Sequence, residues 1–119
     1  MKNILSILTV LTLLMIPITA FADEGQMKLP SGAKPEAVSH NKEGIASWNK
    51  KDYKGALMHF TAASKIDGSS GEIHFNEAIC YDKLGKHGVA TKHFGVALKK
   101  AGGNTKLLNS PILKGHLGM

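Results

Sequence analysis

The sequence predicts an all-α fold, an antiparallel helix–turn–helix solenoid of two repeats followed by a C-terminal capping segment. Three observations predict it. The chain matches itself at a shift of 34 residues, apolar residues recur at three- and four-residue spacing within each unit, and turn or capping residues stand at the unit borders. Nine positions agree when residues 37–70 are laid over 71–104, where unrelated segments would agree at roughly two. His40 falls on His74, Glu43 on Glu77, Ile45 on Ile79, Ala56 on Ala90 and His59 on His93. Phe60 falls on Phe94, Ala63 on Ala97, Lys65 on Lys99 and Gly68 on Gly102.

The elements follow in order. Lys2 precedes an uncharged apolar run from Ile4 to Ile16, broken by Pro17, and Ala20-Phe21-Ala22 places small residues where a signal peptidase reads them. Residues 1–22 are therefore expected to be a signal peptide cleaved after Ala22, which makes the protein periplasmic or secreted. The alternative is an uncleaved anchor, since the 18 residues from Ile4 to Phe21 approach the length needed to cross a bilayer. Residues 23–35 contain Gly25, Pro30, Ser31, Gly32 and Pro35 and read as a flexible linker.

The two repeats then occupy residues 36–103. Pro35-Glu36 opens a helix running to about Asn49, with proline at its first position and an acid in its first turn. Asp52 is placed to cap a second helix whose Tyr53, Ala56, Leu57, Phe60 and Ala63 form one stripe, ending at Ile66-Asp67-Gly68. Ser69-Ser70-Gly71-Glu72 reads as a capping box for a third helix, closed by Gly85 after Leu84. The fourth covers about His87 to Lys100, with Val89, Ala90, Phe94, Ala97 and Leu98 toward the core, and stops at Gly102-Gly103. Residues 104–119 hold Leu107, Leu108, Ile112, Leu113 and Leu117 and are expected to cap the last apolar face.

Period and residue types together resemble the tetratricopeptide repeat. Gly44, Tyr53, Ala56, Phe60 and Ala63 in the first unit, and Ala78, Tyr81, Gly85, Ala90, Phe94 and Ala97 in the second, stand where that motif places such residues. The pattern departs at His40 and His74, where tryptophan is favoured, at Glu43 and Glu77, where leucine is, and at His87, which replaces the tyrosine seen at Tyr53. Gly68 and Gly102 stand where proline often ends the motif. The resemblance implies a non-catalytic protein-interaction module that holds a peptide or helix on a concave surface lined by the first helix of each unit. The partner-binding candidates it implies are Asn41, Ile45, Trp48, Asn49, Phe75, Asn76, Ile79, Asp82 and Lys83. Trp48 has two readings, a contact for the partner or a packing residue against a neighbouring helix or the N-terminal segment.

Charge and chemistry narrow the partners. The chain carries a net charge of +6, or +5 once Lys2 leaves with the leader, and every cation is lysine. The absence of arginine argues against nucleic acid, because bidentate reading of phosphate and guanine is arginine's chemistry. A protein or peptide in the cell envelope is the expected partner, with membrane contact only through an uncleaved leader. A self-assembling structural subunit and a basic envelope-associated protein are the alternatives. No enzyme is expected, as no nucleophile–base set or phosphate loop is present. Cofactors and metals are not expected either, because no His-x-x-x-His or Cys-His spacing puts two ligands on one helical turn. The lone Cys80 reads as a buried inert thiol or, if exposed, as a link between two chains.

Overall fold

The computed structural model describes residues 25–119, and the expected signal peptide and its cleavage point lie outside them. Six helices and no strand occur among the described residues: α1 (Pro35–Asn49), α2 (Tyr53–Ile66), α3 (Gly71–Lys83), α4 (His87–Lys99), α5 (Thr105–Leu108) and α6 (Pro111–Leu117). α1 packs on α2, α3 on α4, α2 on α3, and the two short helices close over α4, so the chain is an all-α repeat fold with a covered end. No helix among the described residues is long and apolar enough to cross a membrane.

Local chemistry sets the boundaries. α1 starts at Pro35 with Glu36 in its first turn and no side-chain cap. The turn to α2 bends at Lys51, which holds φ 62°, and Asp52 then accepts from the Gly55 N–H at 2.9 Å. At α3 the cap is one residue later than the expected box. Ser70 accepts from the Ile73 N–H, while Ser69 instead donates its hydroxyl to Asp67 at 2.6 Å. Asp67 competes for Ser69 because it ends α2 two residues away, and Glu72 is drawn off to accept from Asn104 at 3.1 Å. Gly85 (φ 79°) ends the turn after α3 as expected, since that backbone favours a residue without a Cβ. α4 has no side-chain cap at Lys86.

The core forms two clusters. Phe60, Ala56, Ala63, Ala37, Ile73 and Cys80 make one; Phe75, Ala78, Ile79, Ala90, Phe94, Ala97, Leu107 and Leu113 belong to the other. Half-buried Trp48 packs on both. Small residues make the close approaches: a Cβ on Gly44 would stand 2.5 Å from the Phe60 ring, and one on Gly71 would stand 2.5 Å from the Ala97 carbonyl oxygen. Val89, expected to face the core, is 39% exposed; Ala90 beside it is the buried residue of that turn. The tail covers the last repeat through Leu107 and Leu113, both fully buried. Asn104 and Ser110 cap its two helices by accepting from Leu107 N–H and Leu113 N–H.

Candidate functional site

The segment read as a flexible linker behaves otherwise where it is described. Met27 is only 6% exposed, and its peptide group lies between two buried asparagines, Asn41 on α1 and Asn76 on α3. The Asn76 carboxamide accepts from the Met27 N–H at 2.7 Å and donates to the Met27 carbonyl at 2.8 Å. Asn41 donates to the same carbonyl at 3.1 Å, and Asn76 also donates to the Asn41 oxygen at 2.8 Å. An asparagine amide carries both a donor and an acceptor, so the pair grips main chain irrespective of side chain. The Met27 side chain joins the core cluster of Phe75, Ile79 and Leu107, and Leu29 packs against the other cluster. Farther along, the Lys34 N–H donates to Asp67 at 3.0 Å. Gly and Pro content does not convey these contacts, because they are made by backbone groups that every residue carries.

The nine candidate residues divide accordingly. Asn41 and Asn76 come together as the clamp. Phe75 and Ile79 are buried beneath Met27, Phe75 edge-on to Phe94 at 5.6 Å, so they form the floor and are not open contacts. Ile45 is half-buried beside Leu29's cluster, and Asn49 is exposed and accepts from Gln26 at 3.4 Å. Trp48 packs edge-on to Tyr53 at 4.9 Å, and the Lys83 ammonium lies over the Tyr53 ring, 5.8 Å from its centre. Asp82 is occupied elsewhere: one of its oxygens accepts from His87 at 2.8 Å and from His116 at 2.7 Å.

Sequence spacing missed a second kind of site. Each helical hairpin gathers two histidines and a glutamate. His40 and Glu43 on α1 meet His59 on α2, and His74 and Glu77 on α3 meet His93 on α4. In the first unit Glu43 Oε2 is 3.0 Å from His59 Nδ1 and 3.8 Å from His40 Nδ1. In the second, Glu77 Oε1 is 3.4 Å from His74 Nδ1 and 3.9 Å from His93 Nδ1. His74 Nε2 lies 2.9 Å from the Gly68 carbonyl and His93 stacks on Tyr81. The Glu77 carboxylate raises the pKa of His74 against the opposing effect of burial, with help from the Gly68 carbonyl. Burial lowers that of His93, partly offset by Glu77. The expectation against metal rested on spacing along one helix, whereas these sets span two. The clue in the sequence was that three of the nine repeat matches are a His, a Glu three residues on, and a His on the next helix.

The other reactive groups are quiet. Cys80 is buried, and burial with the nearby Glu77 charge pushes its thiol up to about 12. That environment disfavours the thiolate a nucleophile or a disulfide exchange needs. Burial raises the Asp82 carboxyl, but the hydrogen bonds from His87 and His116 outweigh it and bring the pKa below the usual value.

No protein-family profile matches the chain. Among curated proteins, sperm-associated antigen 1 from Homo sapiens is 38% identical over 64 residues. Those residues are 54% of this chain and 7% of that protein, so the chain spans only a small part of the relative it matches.

Proposed function

We propose that the protein is a non-catalytic, tetratricopeptide-type interaction module of the cell envelope whose concave face holds an extended peptide of a partner protein. One observation carries the reading: Asn41 and Asn76 together bind both the N–H and the carbonyl of Met27, a residue distant in sequence from Asn76. A groove that grips main chain and receives one apolar side chain between Phe75, Ile79 and Leu107 is suited to an extended segment. The chain's own residues 25–29 display how such a segment sits. The partial likeness to sperm-associated antigen 1 and the repeat architecture support a protein-interaction role in general terms. The envelope setting rests on the leader-like residues 1–22.

A labelled peptide of residues 25–33 tests the groove. Met27→Asp in the full-length mature protein removes the resident side chain, and this variant is expected to bind the peptide measurably in fluorescence anisotropy. Adding Asn41→Ala and Asn76→Ala is expected to weaken it at least about tenfold, since each deletion costs on the order of 1–3 kcal/mol. Equal binding by the clamp-deleted protein, with circular dichroism showing it folded, would refute the clamp. The same clamp serves a second copy's segment equally well, and sedimentation over a concentration series separates that exchange from capture of a partner. Mass spectrometry of the exported protein checks the location: an N-terminus at Asp23 is expected, and an intact Met1 in membranes would refute cleavage.

A further inference from the structure

We propose that His74, Glu77 and His93 form a binding site for a divalent late-transition-metal ion such as zinc, and that His40, Glu43 and His59 form a weaker copy of it in the first repeat.

The geometry comes first. His74 and Glu77 stand three residues apart on one face of α3, and His93 faces them from antiparallel α4. Their ligand atoms lie within 4.8 Å of one another, two of the separations being 3.4 and 3.9 Å. Nitrogen and oxygen ligands about 2.0–2.2 Å from a tetrahedral zinc stand about 3.4 Å apart, so small side-chain rotations close the set.

The chemistry of the atoms agrees. The Gly68 carbonyl can only accept, so His74 Nε2 carries a proton and donates to it. The neutral ring then presents the Nδ1 lone pair toward Glu77. A ring nitrogen oriented by a backbone carbonyl behind it is the usual support of a metal-bound histidine. His74 Nδ1, His93 Nδ1 and Glu77 Oε1 are all buried and none has a hydrogen-bond partner among the described residues; the Glu77 side chain is only 6% exposed. A proton between His74 and Glu77 would serve two of these atoms and leave His93 Nδ1 without a partner. A cation between them serves all three. Two imidazoles and one carboxylate suit zinc, nickel or copper and are too nitrogen-rich for calcium or magnesium. His93, with a quarter of its side chain exposed, gives an ion a way in.

The duplication adds an internal comparison. His40, Glu43 and His59 occupy the same three registers and converge in the same manner, and His40 Nδ1 again has no hydrogen-bond partner among the described residues. Their side chains are 36%, 56% and 30% exposed, so solvent competes more strongly for the ligands. The third cluster, Asp82 with His87 and His116, differs in kind: its histidine nitrogens already bond Asp82 at 2.8 and 2.7 Å.

Calorimetric titration of the chelator-treated, full-length mature protein with zinc alone tests the proposal. The tightest binding is expected to weaken about 10- to 100-fold in His93→Gln and in Glu77→Gln. His59→Gln should remove only a weaker class, and His116→Gln should change neither. Nitrogen-15 spectra of the unmutated protein give a readout free of folding effects: zinc is expected to shift Nδ1 of His74 and His93 while His74 Nε2 keeps its proton. Absence of binding at micromolar zinc, affinity unchanged in a folded His93→Gln protein, or shifts confined to His87 and His116 would overturn it.

Discussion

The two hairpins share one 34-residue pattern but solve the same packing problem differently. In the first, Phe60 lies on Gly44, with no room for a methyl group between the helices. In the second, Ala78 takes the register of Gly44, and Phe94 packs edge-on to Phe75 and against His116 of the tail at 4.8 Å. The first hairpin has an aspartate cap on its second helix and a His-Glu-His set whose glutamate is exposed; the second has no side-chain cap there and a set whose glutamate is buried. What differs is neighbours. The second hairpin lies between the first and the tail, whereas the first packs chiefly on the second.

The largest effect expected from breaking this contrast is at the shared phenylalanine. Phe94→Ala should destabilise the protein by about 3–5 kcal/mol, because the cavity opens against Phe75 and the tail together. Phe60→Ala should fall at the lower end of that range, its ring being met by a glycine on one side. Urea unfolding of both variants measures the difference. A larger loss at Phe60 would show that the first hairpin, and not the second, anchors the fold.

Next comes the glycine itself. Gly44→Ala places a methyl 2.5 Å from the Phe60 ring and should cost about 1–3 kcal/mol despite alanine's better helix propensity. Gly88→Ala lies in α4 with nothing within 4 Å of the new methyl and should gain up to about 1 kcal/mol. Thermal melting of the pair should therefore move in opposite directions. A stabilised Gly44→Ala protein would mean the α1–α2 distance relaxes freely.

A smaller effect is expected from exchanging the caps. Asp52→Ala should lose about 1 kcal/mol with the bond to the Gly55 N–H, whereas Lys86→Asp should gain about 0.5–1 kcal/mol by offering the same bond to the Val89 N–H. If Lys86→Asp leaves the melting midpoint unchanged, water already satisfies the N–H groups at that exposed end of α4.

These contrasts also mark what the sequence could convey. The four long helices were legible because the 34-residue period agreed with Pro35 at the start of α1, Asp52 before α2, the serines before α3 and the glycines that follow α3 and α4. The cap of α3 was misplaced by one residue because two adjacent serines compete and only Asp67, from another helix, decides between them. Asn76 was legible as a ligand-holding residue through the resemblance, but its occupant was not: Met27 is recognised by its peptide group, which every residue shares. The histidine sets were hidden for a different reason. Their members were visible as repeat matches, yet only the antiparallel hairpin brings the third one across to the other two.

The smallest effect concerns the junction between the hairpins, where the units differ in how a second helix ends. Asp67 closes α2 and accepts from the Ser69 hydroxyl, the Ser69 N–H and the Lys34 N–H. Ala101, in its register after α4, is buried instead. The Ser69 hydroxyl first, then the Lys34 and Ser69 N–H groups, lower the Asp67 carboxyl from 3.8 to about 2. A depressed carboxyl contributes stability above its unfolded value and loses it as pH falls through its folded value. The contribution is therefore complete above pH 3.8 and disappears as pH approaches 2. Because these hydrogen bonds lie at the protein surface, where solvent screens the charge, the shift in melting temperature should be small. Asp67→Asn should melt slightly below the unsubstituted protein at neutral pH, with the gap closing as the two are compared at pH 3 and then 2. A gap that persists at pH 2 would mean that shape and not charge ties Lys34 and Ser69 to the end of α2. In that case the N-terminal segment would stay anchored to the groove in acid, and its release could not be driven by protonating Asp67.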